Sequence, residues 1–133
     1  MRLALLIMAL IATPAAAADI WSGVFTAAQA AKGKDVYLTH CAAACHVENL
    51  MGNGPAPGLA GPDFLLRWED FNLAELMEKI RATMPKAAPA SLSAEDYLTV
   101  TTFILSANGA QAGLTLLPGE RDTLAKFVIT AKK

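Results

Sequence analysis

The sequence predicts a small all-α domain, and three observations carry that prediction. Three segments open on a helix-start residue and continue with apolar residues at helical spacing, after Thr26, Asn72 and Ser93. No segment alternates convincingly between apolar and polar residues at period two. Gly52, Gly54, Pro55, Pro57, Gly58, Gly61 and Pro62 crowd one stretch, which forbids helix or central strand and makes residues 49–62 a loop.

The first eighteen residues read as an export signal. Arg2 gives a short positive start, Leu3 to Ala12 is apolar, and Thr13-Pro14 breaks the run before the small residues Ala15 to Ala18. Cleavage is expected after Ala17 or Ala18; a retained anchor is the alternative, although the apolar run is too short for a permanent span. Removing these 18 residues from 133 leaves 115, the size of one small domain over residues 19–133. No internal repeat divides it.

The first helix is capped by Thr26 and runs through Ala27, Ala31, Val36 and Leu38 toward Cys41. Gly33 lies inside it at a cost of about 1 kcal/mol relative to alanine. Either another backbone passes close by or the glycine is simply tolerated. A short helix is expected around Asp63 to Trp68. Asn72, with Glu75 three residues on, opens a better one whose apolar face is Leu73, Leu76, Met77 and Ile80. Ser93, with Asp96 three residues on, opens a third, carrying Tyr97, Val100, Thr101 and Ile104 and stopping at Asn108-Gly109. A last helix is expected from Asp122 to Thr130, after a Pro118-Gly119 turn. That gives three to five helices.

The run His40-Cys41-Ala42-Ala43-Ala44-Cys45-His46 holds both cysteines and both histidines of the chain. Two thiols followed by an imidazole are what covalent haem attachment needs: each thiol can add to a vinyl group, and the histidine reaches the iron. The usual spacing is C-x-x-C-H. This chain has one residue more, to be taken up as a bulge or a tightened turn, and either one or two thioethers could result. The other readings are weaker. A disulfide so close in sequence would be strained and would remove little unfolded-state entropy. Zinc would need four ligands from seven residues, where structural sites recruit two separated pairs. Dithiol redox chemistry would want C-x-x-C and a βαβ pattern.

The chain resembles class I c-type cytochromes over roughly residues 20–130. The resemblance runs in order through Gly33-Lys34 and Tyr37, then Cys41, Cys45 and His46, then Pro57-Gly58-Leu59-Ala60-Gly61, Phe64 and Trp68. Thr83-Met84-Pro85 follows, then Leu92 to Tyr97 and Phe103 to Gly109. It is especially similar to small periplasmic cytochromes that take electrons from quinoprotein-type dehydrogenases. The resemblance implies a cytochrome c fold around one covalently bound haem c. It implies His46 as proximal ligand, with the Pro57 carbonyl accepting from its other ring nitrogen. Trp68 is similar to a tryptophan whose N–H meets a haem propionate. Gly33, Tyr37, Tyr97 and Phe103 match the helix crossing that closes the fold, as packing residues.

Met84 is the candidate distal ligand, 38 positions after His46. Met51 and Met77 read as loop and core residues, whereas Pro85 biases Met84 toward extended backbone beyond the helix, expected to end near Arg81. A His/Met pair raises the haem potential and fills the sixth site, favouring electron transfer over oxygen or peroxide chemistry. His40 reads as a solvated histidine.

Taking Arg2 from the 11 Lys and Arg leaves ten against 12 Asp and Glu, a net charge near −2. That shows no electrostatic preference for nucleic acid or anionic membrane. The 54% apolar content is inflated by the export segment and by alanine, and a bound macrocycle would supply the missing core. The expectation is a periplasmic, non-enzymatic electron carrier, fed by a dehydrogenase and emptied by another cytochrome or an oxidase. The rivals are a haem sensor or peroxide-reactive protein with an open sixth site, and a haem-free dithiol or metal-binding protein.

Overall fold

Two helices that cross at a glycine organise the domain. The computed structural model describes residues 17–132, so nearly all of the expected export segment lies outside the described residues. The element order is β1 (Ala18–Asp19), β2 (Ser22–Thr26), α1 (Ala27–Tyr37), a π-helix (Leu38–His46), α2 (Pro62–Trp68), α3 (Leu73–Thr83), α4 (Ala94–Ala107), β3 (Gln111–Gly113), α5 (Arg121–Leu124) and β4 (Phe127–Val128). Among the described residues no helix is long and apolar enough to cross a membrane.

The three capped helices start where the sequence places them. Thr26 and Gln29 form a reciprocal capping box on α1, and Asn72 and Glu75 form one on α3. Ser93 accepts from the Asp96 N–H at the start of α4. At Gly33 the close-approach reading holds: a Cβ there would overlap the Thr99 carbonyl of α4. One turn on, the Tyr37 and Phe103 rings meet at 5.3 Å between centroids.

Helix α4 is the core element, buried from Tyr97 to Thr102 and again at Ile104 and Leu105. Its three buried threonines stay satisfied because their hydroxyls donate back to carbonyls of the same helix, at Asp96, Tyr97 and Thr99. Ile20, Phe25, Phe64, Leu73, Leu76, Leu117, Leu124 and Ile129 fill the space around it.

Four short strands qualify the all-α expectation. β1 pairs in parallel with β4, and β2 with β3. Each has two to five residues, too few for alternation to show in sequence, and each is created by one chain end meeting the other. The buried Gln29 amide adds a further clasp, donating to the Leu117 carbonyl and accepting from its N–H at 2.9 and 3.0 Å.

The expected helix from Asp122 to Thr130 is corrected. Only Arg121–Leu124 is helical, a single turn. Beyond it the backbone bonds outward: Ile129 donates to Phe71, and Asp70 donates to Ile129. With Leu124 and Ile129 fully buried, extending the tail across the fold hides both residues and pairs its amides.

Candidate haem site

The site begins at the end of α1, which passes without a break into the π-helix Leu38–His46. The Val47 N–H bonds the Ala42 carbonyl, five residues back, at 3.0 Å. The extra residue of the motif is therefore held as a widened turn, where the sequence allowed a bulge or a tightened one. Cys41 and Cys45 are both free thiols and both half-buried, while His40 is exposed. Burial pushes the Cys41 thiol up to about 11, so it is neutral rather than an activated thiolate. That is the opposite of what a dithiol redox centre needs. Among the described residues no three His, Cys, Asp or Glu side chains gather as a metal site.

His46 is 4% exposed, and its Nδ1 lies 2.9 Å from the Pro57 carbonyl oxygen. A carbonyl only accepts, so Nδ1 carries a proton, and in the neutral ring the lone pair is left on Nε2. That tautomer, fixed by a backbone oxygen, is the one a metal-ligating imidazole uses. The Pro57 loop is itself tightly held. Gly52 donates to the His46 carbonyl, Leu59 donates to Leu50 at 2.7 Å, and Asn53 and Ala56 bond each other. Gly52 sits at φ +78°, where a side chain would also overlap the Ala56 carbonyl. The Arg67 guanidinium donates to the Gly58 carbonyl at 2.8 Å.

Two residue types escaped sequence reasoning. Asn108, expected only to stop a helix, clamps the loop to α4: its amide donates to Leu59 and accepts from Gly61, both at 2.9 Å. The tyrosines expected as packing residues also hold backbone at the site. The Tyr37 hydroxyl donates to the Val47 carbonyl, directly after His46; burial, with Cys41 nearby, pushes its pKa up to about 12. The Tyr97 hydroxyl donates to the Met84 carbonyl at 2.8 Å. The signal was available in part, since a buried tyrosine hydroxyl needs an acceptor.

Helix α3 ends at Thr83, two residues beyond the boundary expected near Arg81, and Met84 follows it in extended backbone at φ −131°, ψ 149°. It is half-buried. The chain beyond it is tied back by the Ala90 N–H on the Arg81 carbonyl. Trp68 closes α2, half-buried between Phe64 and Phe71, the latter edge-on at 5.5 Å. The structure brings His46 and Pro57 into direct contact. Among the described residues no hydrogen bond joins Trp68 or Met84 to either of them.

These residues fit a haem group. They comprise an imidazole oriented through Nδ1, a thioether and two unpaired thiols on the turn preceding the imidazole. Leu59, Leu65, Trp68, Met77, Ile80 and Phe103 add apolar side chains that pack on the core and stay partly uncovered.

The family model described as Cytochrome C oxidase, cbb3-type, subunit III matches residues 28–104, more than half of the chain. No curated protein and no solved structure matches it. The matched span runs from α1 into α4 and contains Cys41, Cys45, His46, Pro57, Trp68 and Met84. Haem binding and haem-based electron transfer are the general chemistry of such domains, and the small helical fold agrees with it. The chain belongs to this family of cytochrome c domains, as a class I c-type cytochrome.

Proposed function

We propose that this protein is an exported, single-haem electron carrier with no substrate of its own. The observation that carries the reading is the His46–Pro57 pair within a C-x-x-x-C-H turn, because it prepares one nitrogen for iron beside two free thiols. Haem c, when bound, supplies a one-electron couple at iron. His46 would hold the iron through Nε2, Met84 would hold it through sulfur, and Cys41 and Cys45 would anchor the macrocycle. Pro57 keeps the imidazole in the ligating tautomer. Trp68, half-buried on α2, is the donor proposed for a propionate.

The chain's own work is to exclude water and hold these ligands still. Tyr97 fixes the Met84 backbone, and Asn108 fixes the loop behind His46. Both restrain ligand movement when the charge on iron changes, which favours fast transfer. The first eighteen residues support a periplasmic location. A periplasmic dehydrogenase is proposed as donor, and another cytochrome or a terminal oxidase as acceptor. The matched family's description, an oxidase subunit, supports the acceptor side. With a net charge near −2, docking would be brief and weakly steered.

The test is a spectrum of protein purified from a periplasm that attaches haem, recorded before and after denaturation. The expected result is haem that stays with the denatured chain and, in the native oxidised state, a methionine–iron charge-transfer band lost in Met84→Ala. Haem that extracts into acid acetone, or none at all, rejects the proposal.

A further inference from the structure

We infer that the π-helical alanine turn is a register device, which lets Cys41, Cys45 and His46 be presented as a C-x-x-C-H motif presents its own three residues, so that both thiols attach. The inference rests on the haem-binding reading above and concerns what the additional alanine of the motif does.

The argument is one of angle. In an α-helix each residue turns about 100°, so in C-x-x-C-H the second cysteine lies about −60°, and the histidine about +40°, from the first cysteine. Winding the present spacing as an α-helix would carry His46 to about +140°, away from the face it must share with the cysteines. A π-helix has about 4.4 residues per turn, or about 82° each, which puts Cys45 near −33° and His46 near +49°. The longer turn restores the relation that the longer spacing would destroy.

The structure shows why the slack is absorbed within the motif. Downstream, His46 is held by Pro57, and Val47 by the Tyr37 hydroxyl. Upstream, Gly33 locks α1 against Thr99. The added residue is trapped between two fixed points. Ala42 is buried at 4% exposure and Ala43 is exposed, so of these two only the Ala42 methyl is brought to the core.

Attachment at this turn balances without a redox partner. Each S–H adds across one vinyl C=C: a carbon–sulfur bond forms, the hydrogen goes to the adjacent carbon, and the π bond is lost. Both thiols are free to do so.

The test uses the full chain, produced in a host that exports it and attaches haem, then denatured, treated with iodoacetamide and weighed intact. The expected mass is one haem with no alkylated cysteine. A variant lacking Ala43, which restores C-x-x-C-H, is expected to give the same adduct and the same Soret spectrum, its turn reverting to α-helix. One haem with one alkylated thiol in the unmodified chain overturns the inference while leaving the haem reading intact. Loss of the Ala43-deleted protein, or a free thiol in it, overturns it likewise. No haem with two alkylated thiols overturns the haem reading itself.

Discussion

The α1–α4 crossing and the turn-and-loop segment from Leu38 to Gly61 solve opposite problems. At the crossing, two helices approach so closely that only hydrogen fits at Gly33, and the contact is made by shape. In the loop that follows the π-helix there is little regular structure, and the contact is made by hydrogen bonds at the backbone of His46, Leu50, Gly58, Leu59 and Gly61. The first region holds the fold and the second holds the ligand. Damage to one should therefore be separable from damage to the other.

The largest effect on stability is expected at Gly33. Gly33→Ala would gain about 1 kcal/mol of helix propensity but push a methyl into the Thr99 carbonyl. Overpacking of this kind costs about 1–3 kcal/mol, and a backbone obstacle places it at the upper end. Denaturant unfolding should show a lowered midpoint while the folded fraction keeps its native spectrum. An unchanged midpoint would mean that the two helices can part.

Asn108→Ala should come next, at about 1–3 kcal/mol, because the Leu59 carbonyl and Gly61 N–H lose their partner in a half-buried place. Unlike Gly33→Ala, it should also move the reduction potential, since the loop behind His46 loosens. Voltammetry on both variants would separate the two regions. A potential moved equally by both would erase the distinction.

Tyr97→Phe removes one neutral hydrogen bond to the Met84 carbonyl and should cost about 1 kcal/mol. Its signature is a weakened methionine–iron band with haem content unchanged. The smallest effect belongs to Glu95→Gln, which breaks the exposed Lys32–Glu95 pair beside the crossing. Such pairs contribute about 0–1 kcal/mol, less in salt. A larger loss in thermal denaturation would show that shape does not carry that contact alone.

Much of the crossing was legible in sequence. Thr26, Asn72 and Ser93 are caps with short-range partners, so three or four residues suffice to recognise each. Gly33 advertised its neighbour because a mid-helix glycine is costly without one. The His46–Pro57 contact was implied by the resemblance to class I cytochromes, not by local pattern. The polar roles of Tyr37, Tyr97 and Asn108 were not legible. Each bonds a backbone atom, which carries no residue identity, and for Tyr97 and Asn108 that atom lies on another element. The strands failed for the same reason, as did the tail: Phe127 and Val128 are strand only because Ala18 and Asp19 lie beside them.

The sequence by itself determined the helix starts, the loop and the ligand candidates, since these depend on local capping, ring constraints and side-chain chemistry. Tertiary structure alone decided how the motif's extra alanine is wound, because the choice between α, bulge and π turn is degenerate locally. It is settled by contacts with residues outside the motif, Gly33 against Thr99 on one side and Pro57 against the motif's own His46 on the other.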